Sequence, residues 1–140
     1  MKPPDEVKRE LVQQWLSKAE QDLRAAKHFL AEDEPLFEII GFHAQQAAEK
    51  YLKALLVYHQ IEFTKIHDLD KLLKLIARVD APLAESLQDI TVLTNYAVEI
   101  RYPGDHPEIT LVDAQKAVVL AEKAREEILK AIPVINGTQS

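Results

Sequence analysis

The run Phe37-Glu-Ile-Ile-Gly-Phe-His-Ala-Gln-Gln-Ala-Ala-Glu-Lys-Tyr-Leu-Lys-Ala-Leu-Leu-Val-Tyr58 decides the fold. Phe37, Ile40, Ala44, Ala47, Tyr51, Ala54 and Tyr58 recur at alternating steps of three and four, which puts them on one stripe of an α-helix. Pro35 lies just ahead, where its fixed φ suits a first helical turn. Gly41 weakens the helix only slightly.

The same period extends in both directions. Upstream, Val12, Leu16, Ala19, Leu23, Ala26 and Leu30 predict a long first helix from about Asp5 to Ala31. Downstream, a loop holding Phe63, Thr64 and Lys65 leads to a short helix on Leu69, Leu72, Leu73 and Ile76. Asp68 is its expected N-cap. A fourth helix starts at Asp80-Ala-Pro82 and carries Leu83, Leu87, Ile90, Leu93 and Ala97 to near Ile100. There it stops, because Tyr102 precedes Pro103 and is pushed out of α space. The fifth opens with Thr110 and Asp113 at capping-box spacing and places Leu111, Ala114, Val118, Ala121, Arg125, Ile128 and Ile132 on one face. No alternating run reads as a strand. The expectation is an all-α, up-and-down antiparallel bundle of four to five helices. Residues 1–135 form one expected domain and 136–140 a frayed tail.

Composition narrows the function. The 140 residues hold 17 Lys+Arg against 23 Asp+Glu, a net charge of −6, so the broad basic field that drives non-specific nucleic-acid binding is missing. Any nucleic-acid contact must be local. There is no cysteine, which excludes disulfides, thiolate nucleophiles and Cys-ligated zinc. No metal site or cofactor is expected: H-E-x-x-H, Walker A and G-x-S-x-G patterns are missing. No apolar run is long enough to span a membrane, and Met-Lys-Pro-Pro-Asp-Glu lacks an apolar signal core, so a cytoplasmic location is expected.

Two segments concentrate chemistry. Ile100-Arg-Tyr-Pro-Gly-Asp-His-Pro-Glu108 joins two helices and is braced by Pro103 and Pro107. Arg101 is a permanent cation able to grip phosphate oxygens, and His106 can move a proton near neutral pH. A phosphate clamp beside a base is the minimum for metal-free RNA cleavage. The base activates a ribose 2′-OH to attack its own phosphate, and the guanidinium stabilises the developing charge. The plainer alternative is a rigid linker with Arg101 paired to Asp105 or Glu99. On the second helix, His43, Gln46, Lys50 and Lys53 share one face at steps of three and four, and Gln45, Glu49 and Lys53 share the adjacent one. This stripe can serve a ligand; the alternative is a solvated face with Glu49–Lys53 as an ordinary i,i+4 pair. His67-Asp68 can be a base and its orienter, although Asp68 is better explained as a helix cap. Trp15 reads as a core or interface anchor.

These residues carry a resemblance. Trp15-Leu-Ser-Lys-Ala-Glu-Gln-Asp-Leu23, His43-Ala-Gln-Gln-Ala-Ala-Glu-Lys-Tyr-Leu-Lys-Ala-Leu55, His67-Asp-Leu-Asp-Lys-Leu-Leu73 and Arg101-Tyr-Pro-Gly-Asp105 together resemble the HEPN domain family. The resemblance runs over roughly residues 10 to 130 and implies a helical bundle that forms a homodimer. It implies binding of nucleotide or RNA and, in many members, metal-independent ribonuclease activity through an R-x4-6-H motif. Arg101 and His106 stand at those motif positions as the catalytic pair. His43, Gln46, Lys50, Lys53, Tyr102 and Asp105 are the expected binding residues. Many family members are toxins paired with a minimal nucleotidyltransferase antitoxin; others are non-catalytic nucleotide-binding or helical interaction modules.

Overall fold

Five α-helices and one 3₁₀ helix follow one another in the computed structural model, which describes residues 3–96 and 108–132. They are α1 (Pro4–Leu30), α2 (Phe37–Tyr58), α3 (Leu69–Ala77), α4 (Ala81–Ser86), the 3₁₀ helix Gln88–Tyr96, and α5 (Leu111–Ala131). No strand is present among the described residues.

Local chemistry sets the helix ends. Asp5 and Glu6 lie in the first turn of α1, Lys27 and His28 in its last, each matched to the helix dipole. Asp68 caps α3 by accepting the Asp70 amide at 2.9 Å, and Asp80 caps α4 through the Leu83 amide at 3.1 Å. Thr110 and Asp113 form the expected box: the Asp113 amide donates to Thr110 Oγ1 at 3.2 Å, and the Thr110 amide donates to Asp113 Oδ2 at 3.0 Å. α2 begins one residue after Leu36, so Pro35 precedes the helix rather than opening it.

Cross-helix pairs fix the directions. Lys8 lies over Tyr58, Glu20 accepts from Tyr51, and Phe29 stacks on His43. Partners on α2 fall in number as those on α1 rise, so the two helices are antiparallel. Glu20–Arg125 and Lys27–Glu122 set α5 antiparallel to α1 as well. α2 lies at the centre. Ile40, Ala44, Ala47, Ala48, Tyr51, Leu52, Ala54, Leu55 and Leu56 are all fully buried, so this helix is covered on almost every side. Burial of α3's Leu69, Leu72, Leu73 and Ile76 contributes on the order of 1.5–3 kcal/mol per side chain.

Two expectations change. The fourth helix is not continuous: it breaks at Leu87 and goes on as the 3₁₀ helix. Leu87, Ile90 and Leu93 are spaced by three and all fully buried, and three residues per turn is the winding that keeps such a row on one face. Ser86 Oγ and Thr91 Oγ1 also take carbonyls of the preceding turn, those of Leu83 and Gln88, each at 2.8 Å. Leu111, expected on the core face of α5, is 45% exposed because it sits in the first turn, before the helix reaches the bundle. Gly41 also has a packing reason: a Cβ there would lie 3.0 Å from Cγ of Tyr96.

Candidate functional site

The polar residues of α2 do not form a solvated face. Gln45, Glu49 and Lys53 are buried, the latter two only 4% exposed, which overturns the ordinary surface-pair alternative. Glu49 is the hub. It accepts Gln45 Nε2 at 3.0 Å, Lys53 Nζ at 2.8 Å and His67 Nδ1 at 3.0 Å. Burial pushes the Glu49 carboxyl up, but hydrogen bonds from Lys53, His67 and Gln45 outweigh it, and the group is held below its ordinary range. Lys53 Nζ lies 5.4 Å from the Trp15 ring centre and 5.5 Å from that of Phe63, and these two rings meet edge to face. Gln45 Oε1 is buried with no hydrogen-bond partner among the described residues.

A second cluster lies one turn earlier. Asp22 of α1 receives His43 Nδ1 at 2.9 Å on one oxygen and Lys50 Nζ on the other. The His43 ring is held by Phe29, stacked at 6.0 Å, and by the edge of Phe42.

Beside these two clusters, between α1 and the α2–α3 connection, lies a pocket of about 530 Å³. Trp15 and Phe42 supply aromatic surface. Lys18, Lys50, Lys53 and His67 supply cations or donors, and Gln46 and Glu49 add to the lining among the described residues. The volume falls within the range of small-ligand sites. Among the described residues no group of His, Asp and Glu is arranged to hold a metal ion, and no helix is long and apolar enough to cross a membrane.

The family model for the HEPN domain matches residues 12–132. The chain belongs to the HEPN domain family. Its structure is similar to that of TT1696 from Thermus thermophilus, with a TM-score of 0.68 and 29% sequence identity over 85% of this chain and 96% of that one. No curated protein matches the sequence.

In this HEPN domain the expected binding stripe divides. Gln46, Lys50 and Lys53 line the pocket, while His43 turns to Asp22 and does not line it. Arg101, Tyr102, Asp105 and His106 lie outside the described residues. Trp15, Lys18, Phe42 and Glu49 were not in the expected site, and His67 joins it through Glu49 rather than through Asp68, which is committed to its cap. The available signal was α2 itself. A helix this apolar on its other faces is buried all round, so Gln45, Glu49 and Lys53 must find partners inside.

Proposed function

We propose that this HEPN domain binds the phosphate of a nucleotide or of RNA in the pocket on α2. The observation that carries the reading is the pocket's lining: Lys18, Lys50 and His67 ring it, with Trp15 and Phe42 offering the flat apolar surface on which a base stacks. Arg101 and His106 act on the bound RNA as a metal-independent ribonuclease pair. The chain works as a homodimer and as the toxin of a pair whose antitoxin is a minimal nucleotidyltransferase. The net charge of −6 and the single-nucleotide scale of the pocket favour a second reading, a non-catalytic nucleotide-binding or interaction module accompanying such a transferase.

Incubation of the purified chain with labelled RNA in EDTA separates the two, with melting curves in ATP, GTP and UTP run alongside. The first reading expects cleavage that Arg101→Ala and His106→Ala abolish. The second expects intact RNA and a melting temperature raised by nucleotide, since a ligand bound only to the folded state stabilises it. Intact RNA together with unmoved melting curves overturns both.

A further inference from the structure

Among the described residues His67 is the one histidine that lines the pocket, and an imidazole is the side chain able to gain or lose a proton near neutral pH. Its side chain is 71% exposed, whereas the Glu49 carboxylate it meets is 6% exposed. A carboxylate only accepts, so the Nδ1 facing Glu49 carries the proton. Nε2 is then a lone pair in the neutral ring and a second donor in the protonated one. The other cations are largely committed. Lys53, whose Nζ also lies 3.4 Å from His67 Nδ1 and so faces the ring with a like charge, is bound to the Glu49 carboxylate between them and covered by Trp15 and Phe63, and Lys50 is bound to Asp22. Asp68, on the same segment as His67, is turned to the Asp70 amide. Lys18 of α1 remains exposed at the rim. Among the described residues, with His67 neutral, Lys18, Lys50 and Lys53 set against Asp22 and Glu49 leave one net positive charge; protonation of His67 makes it two.

We propose that the pocket takes a phosphate monoester in its dianionic form, and that His67 supplies the second compensating charge by taking up a proton as the phosphate enters. This rests on the phosphate-binding reading above and names the ligand within it: a terminal phosphate rather than the diester of a nucleic-acid backbone. A diester carries a single charge, which the pocket meets without His67. The second ionisation of a phosphate monoester falls near pH 6, so at pH 7.5 the ligand arrives as the dianion and the proton must come from solvent.

Titration calorimetry at pH 7.5, in two buffers of different ionisation enthalpy, tests this with AMP, with 3′,5′-cyclic AMP (the same base and sugar carrying a diester) and with inorganic phosphate. AMP is expected to bind about tenfold more tightly than the cyclic nucleotide, the scale of one charge-assisted hydrogen bond, with uptake approaching one proton. His67→Gln is expected to abolish the uptake and bring AMP down to the cyclic nucleotide's affinity. Its melting temperature, followed by circular dichroism, stays within a few degrees because the side chain is exposed. Inorganic phosphate binding as tightly as AMP, with the same uptake, supports the chemistry and assigns the ligand to free phosphate. Equal affinity for AMP and its cyclic diester, or AMP binding without proton uptake, overturns the proposal and leaves phosphate binding standing. No binding of any of the three, or of RNA, overturns both.

Discussion

Glu49 on α2 and His67 before α3, eighteen residues apart in sequence, meet at 3.0 Å, and this contact ties the loop after α2 to the central helix. Lys53 shares the same carboxylate, and because both of these side chains are buried the Glu49–Lys53 pair is sensitive to loss of one member. Glu49→Gln leaves the Lys53 ammonium buried without its counter-charge and is expected to cost about 3 kcal/mol in urea unfolding. The double variant Glu49→Leu with Lys53→Met removes both charges and is expected to recover most of that loss. The Glu49 carboxyl titrates below its ordinary 4.5 in the folded chain. Its stabilisation is therefore fully present above pH 4.5 and is lost as the pH falls through the lower, folded value, while Glu49→Gln flattens this acid limb.

Tyr51 marks the opposite, alkaline limb. Its ring is fully buried and its hydroxyl donates to Glu20 at 2.6 Å, with Arg125 on the same carboxylate. Burial first, and then the Glu20 carboxylate, push the phenol well above its ordinary 10.0, against a smaller opposing pull from Arg125. A group with a raised folded pKa contributes stability below its unfolded value and loses it as the pH climbs beyond. Ultraviolet titration is therefore expected to show Tyr51 ionising only as the chain unfolds above about pH 10. Tyr51→Phe is expected to remove that alkaline loss and to cost about 1–2 kcal/mol at neutral pH, from the broken hydrogen bond.

The helices were legible where one physical rule dominates. Apolar steps of three and four locate α1, α2, α3 and α5, and Asp68, Asp80 and Thr110 announce their helices because short polar side chains satisfy the first free amides. The 3₁₀ helix was less visible, since Leu83 to Leu87 steps by four and only the later residues step by three. The site was legible in part. Gln46, Lys50 and Lys53 could be named from their shared face. Trp15, Lys18 and His67 reach the pocket from other elements, and no spacing rule in a single sequence brings separate elements together. Glu49 and Lys53 are four apart on either reading, and burial, which decides between surface pair and hub, is a property of the packed bundle.

Gly41 is a packing residue rather than a weak point. Alanine at an interior helical position normally stabilises by up to about 1 kcal/mol over glycine. Here the added methyl meets Cγ of Tyr96 at 3.0 Å and Cβ at 3.3 Å. Gly41→Ala is expected to reverse the usual sign and destabilise by about 1 kcal/mol, as overpacking does. Gly41→Ala combined with Tyr96→Ala should then be more stable than Tyr96→Ala alone, measured by the midpoint of chemical unfolding.

The end of α2 carries a correctable strain. Gln60 has φ 58°, the Ile61 amide reaches back to the Leu56 carbonyl at 2.9 Å, and the Gln60 amide reaches the Val57 carbonyl at 3.0 Å. That is the Schellman ending, whose left-handed position favours glycine. Gln60→Gly is expected to raise stability by about 1 kcal/mol, the left-handed cost of a side chain less the entropy glycine loses on folding. A lower melting temperature in this variant would mean that the Gln60 side chain contributes more than its backbone costs.

Asp22 restrains the pocket from behind. Its two oxygens hold His43 and Lys50, and its side chain is 14% exposed against 22% for Lys50. If Lys50 meets an anionic ligand, the carboxylate competes with that ligand for the same ammonium. Asp22→Asn keeps the size of the side chain, removes the negative charge and lets Lys50 turn towards the pocket. The variant is expected to bind AMP several-fold more tightly while losing about 1–2 kcal/mol of stability, since a partly buried ion pair is weakened without leaving a bare buried charge. Lys50→Met, which keeps the aliphatic stem, should bind AMP about tenfold more weakly, and in the double variant the Asp22 change should bring no gain. Affinity that rises in Asp22→Asn and stays raised when Lys50 is also replaced would place the gain in the general field of the pocket rather than in a released lysine.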